Sequence, residues 1–508
     1  VNAACTSADR PAQPVLRALR MHLHAQHQAI VVMRTDCHVC RAEGLAPNSR
    51  VLVAAGERRV VALLYQTEST LFASDQVVLS EAAWQALAVA DGDPVRVSHP
   101  PLLQSMSLVR KRIHGQRLVA SELSAIIRDV VDGGYSDVDL SAFLVACATL
   151  PLDAGETVGL TRAMVEAGAR LSWPAPVVVD KHCVGGLPGN RTSPIVVAIA
   201  TANGLVMPKT SSRAITSPAG TADTMETMAP VALDLATMRH VVETEGGCLA
   251  WGGSMHLSPA DDIFVRIERE LDIDTEGQLI ASVLSKKIAA GSTHVVIDIP
   301  VGPTAKVRSL AAARELAAHL TNTAEAFGVQ IACLFTDGRQ PVGRGIGPAL
   351  EARDVLAVLQ CAPDAPADLR ERALQVAGAV LELGGKAPAG EGVALAAQTL
   401  DSGRAWTKFR RICIAQGGLR TPPQARCVQP LPAPRAGRVL AIDNRRLARL
   451  AKLAGAPECA AAGVLMRVRL GDAVQVGQTL LELHGDAPGE LAYALDYARQ
   501  DGEIIRIG

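Results

Sequence analysis

The sequence predicts an α/β protein built as a helical domain plus a large mixed α/β domain. A small N-terminal β-barrel-like domain precedes them and a C-terminal α+β domain follows. Three observations carry this. Strand-like and helical segments alternate from Trp173 to about Pro423, the pattern of a sheet covered on both faces. Helical apolar spacing runs without strands from Gln116 to about Leu171. At 508 residues the chain exceeds what one hydrophobic core supports.

Composition bounds the function. Hydrophobic residues make up 49% and aromatics 3%, so the cores are aliphatic. With 50 basic and 51 acidic residues the net charge is −1, and no global field draws nucleic acid or an anionic membrane. Anion binding has to be local. Eleven cysteines without repeating spacing indicate free thiols in a reducing compartment. The start of the chain has no basic-then-apolar signal pattern, and no apolar run reaches the length of a membrane span. The expectation is a cytoplasmic protein with neither nucleic acid nor membrane as partner.

Residues 1–104 form the first domain, with candidate strands Ile30–Met33, Val51–Ala54 and Val60–Leu63 and a capped helix at Leu79–Trp84. Its Cys37-His38-Val39-Cys40 has no second Cys/His pair to complete a zinc set, so it is read as two thiols in a turn. Residues 105–172 form the helical domain, completed by about 258–290, where Gln278–Ala290 has similar spacing. Residues 173–257 and 291–425 form the α/β domain, with strands Val177–Val179, Val206–Met207, Val295–Ile299 and Gln330–Leu334. Gly343-Arg344-Gly345-Ile346-Gly347-Pro348 resembles a dinucleotide fingerprint only superficially: its last glycine is misplaced and no acidic strand end matches. Prolines 423, 430, 432 and 434 open the last domain, 426–508.

The informative stretch is Val177 to Met228. The run Val177–Val179 ends in Asp180-Lys181-His182, and Gly185, Gly186 and Gly189 let backbone approach a ligand. Thr192 and Ser193 open a helix. A second unit repeats the logic, from Val206-Met207 through Lys209, Ser211, Ser212, Arg213, Thr216 and Ser217 to a helix opened by Thr221. Two helix starts and basic side chains at the carboxyl edge of a parallel sheet make an anion site, with phosphate the expected anion.

These residues, with others downstream, resemble the thymidine phosphorylase family, which includes pyrimidine-nucleoside and AMP phosphorylases. The motifs are Asp180-Lys181-His182-Cys183-Val184-Gly185-Gly186, Pro208-Lys209-Thr210-Ser211-Ser212-Arg213, Ala219-Gly220-Thr221-Ala222-Asp223, Ala281-Ser282-Val283-Leu284-Ser285-Lys286-Lys287 and Asp298-Ile299-Pro300-Val301-Gly302-Pro303, with Thr336-Asp337 and Gln340-Pro341-Val342-Gly343 after them. The matches keep their order over residues 105 to 508. The resemblance implies an active-site cleft between the helical and α/β domains, a homodimer, and phosphate-dependent cleavage of an N-glycosidic bond. It implies no metal and no cofactor, only inorganic phosphate as co-substrate.

It also implies roles. Lys181, Cys183, Gly186, Ser193, Ser211 and Thr221 would contact phosphate, and Lys181, His182 and Asp274 would be catalytic. Ser212, Arg213, Ala214, Ile215, Thr216, Ser217, Arg266, Ser282, Lys286 and Lys306 would bind the substrate. Cys183 departs from the family's usual serine, and a thiol is the weaker donor. The implied reaction is thymidine plus phosphate to thymine plus 2-deoxy-D-ribose 1-phosphate. The spelling of Ser212–Ser217 and of Leu187-Pro188-Gly189-Asn190 resembles the AMP phosphorylase branch, whose product would be ribose 1,5-bisphosphate. There Asp274 would protonate the leaving base and Arg213, Thr216 and Ser217 would hold a 5′-phosphate. From the residues alone, GGLPGNRT at 185–192 is a near miss to a P-loop, which keeps an ATP-dependent kinase and a non-catalytic nucleotide-binding protein as other readings.

Overall fold

The computed structural model describes residues 15–25, 28–214, 217–273, 275–500 and 504–508. The expectations for Ile215, Thr216 and Asp274 fall outside these residues. The chain divides into two compact bodies: residues up to 108 together with 129–139, and 109–128 together with 140–508.

In the first body β1 (Leu16–Leu23), β2 (Ile30–Arg34), β3 (Arg50–Ala55), β4 (Arg58–Thr67), β5 (Gln76–Ser80) and β6 (Pro94–Ser98) close a barrel in the order β1-β5-β2-β4-β3-β6. Its core follows from period-two alternation: Leu16 and Ala18, Val31 and Met33, Val51 and Val53, Ala62 and Leu64, Val77 and Leu79, and Val95 and Val97 are all buried. Short helices α1 (His38–Glu43) and α2 (Glu81–Leu87) pack there, α2 with Ser80 accepting from the Ala83 amide as N-cap. Cys37 and Cys40 are buried in this core.

The helical segments that follow are α3 (Met106–Ile113), α4 (Ala120–Val131), α5 (Asp137–Thr149) and α6 (Ala154–Glu166), the last begun by an Asp153/Glu156 capping box. The sheet region then runs β7 (Val179–Cys183), α7 (Ser193–Ala202), β8 (Met207–Ser211), α8 (Thr221–Glu226), α9 (Leu235–Glu245) and β9 (Gly247–Trp251). Next, α10 (Pro259–Leu271) and α11 (Glu276–Ala289) return to the earlier helices: α11 packs along α6, and the Phe264 ring lies 5.8 Å from that of Phe143. Then come β10 (His294–Val301), α12 (Leu310–Glu325) and β11 (Gln330–Asp337).

The strands β11, β10 and β7 pair in parallel, as do β8 and β9, and a parallel bridge from Val178 to Val206 joins the two sets. All five carboxyl ends therefore point the same way. Below them, α7 is buried almost all round: Ile195 to Ala200 are fully covered. It has the continuous apolar character expected between a parallel sheet and a second helical layer. Helix α13 (Pro348–Leu359), after the two-residue strand β12 (Gly345–Ile346), and three later helices at Ala367–Leu383, Gly392–Asp401 and Arg404–Ala415 complete that layer.

The C-terminal part holds a four-stranded sheet, which takes in β12, a three-stranded sheet, and helices Asn444–Leu453 and Pro488–Gln500 around their own core. Among the described residues no helix is long and apolar enough to cross a membrane.

Two sequence expectations shift. The first strand begins at Val179 and extends through Cys183, and the second extends from Met207 to Ser211, so Asp180-Lys181-His182 and Lys209 lie within strands instead of in turns. Charged residues continue a buried strand here because they are paired, as described below. The glycine run at 343–347 is no phosphate loop. The amides of Arg344 and Gly345 donate to the Asp354 carboxylate, that of Gly343 to Asp368 and that of Gly347 to Glu351.

Candidate active site

Strand alternation sends Asp180 and His182 to one side of β7, and Lys181 and Cys183 to the other. Asp180 is fully buried. Its carboxylate lies 2.7 Å from Lys287 Nζ of α11 and 3.6 Å from Lys209 Nζ of β8, and it accepts from the Lys181 amide. Lys209 and Lys287 are themselves 4% and 2% exposed. One carboxylate thus joins two strands and a helix, and it faces two ammonium groups.

On the other side, Lys181 is 2% exposed and donates to Thr192 Oγ1 at 2.6 Å. Burial lowers the pKa of Lys181, and Asp298 partly opposes that. The Lys209 ammonium is pushed well below its usual range, by burial first. His182, which keeps some contact with solvent, is also pushed well below the usual imidazole range, by desolvation and then by Lys287, Lys286, Lys209 and Lys181. A neutral imidazole amid four lysines can offer one acceptor nitrogen. An anion arriving among Lys181, Lys209 and Lys287 would offset the desolvation that lowers the first two.

The turn after β7 is shaped by close approach. Gly186 has φ +76°, and a Cβ there would lie 2.4 Å from the Lys306 amide nitrogen; one on Gly189 would lie 2.1 Å from the Val342 carbonyl oxygen. Cys183 Sγ accepts from Asn190 Nδ2, which also donates to Asp298 Oδ2. Burial, and then Asp298, pushes the Cys183 thiol up to about 12, so it stays protonated and is no nucleophile. Asp298 is held in turn by the Thr336 hydroxyl, which Arg372 contacts.

Neither Ser193 nor Thr221 serves as an N-cap: the cap positions belong to Thr192 and Gly220. Thr221 Oγ1 instead accepts from Arg191 Nη1 at 2.7 Å, which ties the first turn to the second. Ser211 donates to the Ala250 carbonyl, Ser217 to the Ala219 carbonyl, and Ser212 is exposed. The loop from Ser212 to Ala214 folds tightly onto Gly220, where a Cβ would lie 2.5 Å from the Ser212 carbonyl oxygen. Asp223 fastens this fold by accepting from the Ala214 and Gly220 amides. Arg213 is already occupied: Nη1 donates to Asp223 and Glu226, and the guanidinium sits 4.8 Å over the Trp251 ring.

The opposing residues lie on α10 and α11. Lys286 Nζ donates to Asp261 at 2.7 Å and to Ser282 Oγ at 3.1 Å, so those two expected ligands are together. Arg266 is half-buried on α10. A cavity of about 320 Å³ lined by Val184, Thr275, Leu279, Lys306 and Arg308 opens beside the glycine turn, a volume suited to a small ligand. The structure therefore adds Arg191, Lys287 and Asp298 to the residues singled out for the site, and it pairs Thr192 and Lys209 of the two expected turns with Lys181 and Asp180. The three added residues stood inside or beside quoted motifs, but their pairings with Glu351, Asp180 and Asn190 span more than a hundred residues and leave no local pattern.

Residues 106–168 match the family described as "Glycosyl transferase family, helical bundle domain", and residues 175–406 match "Glycosyl transferase family, a/b domain". Proteins named "Putative thymidine phosphorylase" from Parvibaculum lavamentivorans and Tolumonas auensis are each 70% identical over 497 residues, covering 98% of both chains. Among solved structures, anthranilate phosphoribosyltransferase (TrpD) from Thermus thermophilus superposes with a TM-score of 0.52 at 23% identity. It covers 61% of this chain and 98% of its own. That likeness concerns the fold alone.

Proposed function

The chain belongs to the thymidine and pyrimidine-nucleoside phosphorylase family, and from that premise we propose that it cleaves thymidine with phosphate to thymine and 2-deoxy-D-ribose 1-phosphate. Its membership of a family of phosphorylase-type glycosyltransferases supports this reading over an ATP-dependent kinase or a non-catalytic nucleotide-binding protein. The observation that carries the reading is Lys181, buried in β7 and bonded to Thr192 at the start of α7, just ahead of the glycine turn.

Phosphate would bind among Lys181, Gly186, Ser193, Ser211 and Thr221, with one oxygen turned toward the anomeric carbon. The Lys181 charge, strengthened by its burial, would hold the nucleophile in place. As the glycosidic bond breaks, negative charge grows on the base, and Lys286, Ser282 and Arg266 would meet it. His182, neutral, would accept from the substrate. The weak Cys183 donor leaves that phosphate contact to backbone amides. A homodimer is the expected assembly.

A second reading, a nucleoside 5′-monophosphate as substrate, is favoured by the concentration of hydroxyls and Arg213 in one loop after β8. The two carboxylates already on Arg213 weigh against it, because a second phosphate would have to share that guanidinium. The test is phosphorolysis of thymidine, uridine, AMP, CMP and UMP, with the sugar phosphate identified. Turnover of thymidine supports the first reading, and turnover of 5′-phosphorylated substrates alone replaces it with the second. Arg213→Ala should then reduce nucleotide turnover far more than nucleoside turnover. Equal losses would remove Arg213 from substrate recognition.

A further inference from the structure

We infer that Arg191 is a positioning residue for phosphate, acting by orienting the Thr221 hydroxyl; this rests on the phosphorolysis reading. Arg191 closes the glycine turn, and its fork directs three donors to two separate segments, α13 and the stretch 219–221. Nε donates to Glu351 of α13 at 2.7 Å, Nη1 to Thr221 Oγ1 at 2.7 Å, and Nη2 to the Ala219 carbonyl at 2.8 Å. The guanidinium side chain is 12% exposed and that of Glu351 is 1% exposed, so the pair is fixed and desolvated.

The consequence lies in the hydroxyl's proton. A threonine oxygen has one proton to donate and lone pairs to accept. Because Thr221 Oγ1 already accepts from Arg191, its own proton is free to turn toward a phosphate bound as proposed above. The lysine of β7 and the arginine that ends the turn after it thus treat two hydroxyls alike: Lys181 donates to Thr192, and Arg191 donates to Thr221. The Arg191–Glu351 pair is neutral overall, so Arg191 contributes orientation more than field.

Glu351 is held equally firmly. It accepts from Thr224 Oγ1 and the Gly347 amide. The first turn of α13 is tied to the C-terminal part, where the Ala349 amide donates to the Ala460 carbonyl and β12 pairs with Gly463–Met466. The C-terminal domain therefore braces the phosphate side through Glu351 and Arg191.

The experiment measures phosphate binding by calorimetry and steady-state phosphorolysis with each substrate varied, on the full chain. It uses Arg191→Ala, Arg191→Lys, Glu351→Gln, Thr221→Val and the double variant Arg191→Ala with Thr221→Val. Arg191→Ala should raise the phosphate KM and Kd about 10- to 100-fold, with the nucleoside KM almost unchanged. Arg191→Lys should recover part of that, because it restores the charge without the fork. The double variant should be no worse than the weaker-binding single variant, since both remove one contact.

Phosphate binding unchanged in Arg191→Ala, or equal rises in both KM values, would overturn the inference, as would multiplicative losses in the double variant. If Arg191→Ala does not fold, Arg191→Lys against Thr221→Val reads the same coupling. A wild type that binds phosphate but performs no phosphorolysis would sink the functional reading, while its binding data still decide the role of Arg191.

Discussion

The two walls of the site are built by different rules. On the side proposed to hold phosphate, Lys181, Lys209 and Asp180 are almost completely buried and tied to one another and to Lys287 and Thr192. On the side proposed to hold the base, Lys286 keeps a quarter of its side chain exposed, and Arg266 is half-buried on the face of a helix. The difference follows from what each wall would hold. Phosphate is the same anion in every turnover, so its ligands gain from being fixed before it arrives. A base is flat, largely apolar and variable in its edge groups, and partly exposed side chains can meet it with less desolvation than fully buried ones.

That contrast can be broken by substitution. The largest effect should come from Asp180→Asn, which leaves two buried ammonium groups with no carboxylate. Breaking a buried ion pair in this way costs about 3–5 kcal/mol, readable as a lowered urea midpoint at constant slope. A loss below about 1 kcal/mol would mean the cluster is hydrated and loose. Lys181→Ala should come next, lowering turnover about 10²- to 10³-fold and raising the phosphate KM. Unchanged phosphate kinetics would move the anion site elsewhere.

An effect of intermediate size concerns acid. The pKa of His182 in the folded protein lies well below the unfolded value near 6.5, so below about pH 6.5 the unfolded chain binds a proton that the native state refuses. Stability should therefore fall as pH drops below about 6.5, by up to about 1.4 kcal/mol per pH unit. His182→Gln should flatten that slope between pH 7 and 5, and parallel curves for the two proteins would show that the imidazole titrates alike in the folded and unfolded states. The smallest effect belongs to the base wall. Ser282→Ala should raise the nucleoside KM by about fivefold, one ordinary hydrogen bond, and leave the phosphate KM unchanged. A matching rise for phosphate would erase the distinction between the walls.

How much of this could be read from the chain depended on whether the signal was local. The helix starts at Ser193 and Thr221 and the turn at Gly185–Gly189 announce themselves by glycine and hydroxyl spacing, and they form as expected. Strand ends were harder. Asp180 to Cys183 and Lys209 to Ser211 look like turn residues until their partners are known, since burial of a charged strand is unfavourable without pairing. Arg191 meets Glu351 across 160 residues, and Asn190 meets Asp298 across 108, so no window of sequence could connect them. Arg213 was legible as a cation near the substrate loop, but not as one already committed to Asp223 and Glu226, which follow it on α8.

The strand order has a consequence for how the protein is made. The strand β10 lies between β7 and β11, but it is synthesised after β8, β9 and the two helices α10 and α11. While the chain leaves the ribosome, β7, β8 and β9 can pair, but β7 keeps an open edge for more than a hundred residues of synthesis, because its partner His294 lies that far along from Val179. The edge carries Lys181 and Asp180 before Lys287 and Asp298 exist to neutralise them. Charged residues on an open edge discourage pairing with other chains. The same side chains that are proposed to gather an anion would thus guard the nascent sheet against aggregation until β10 arrives to close it.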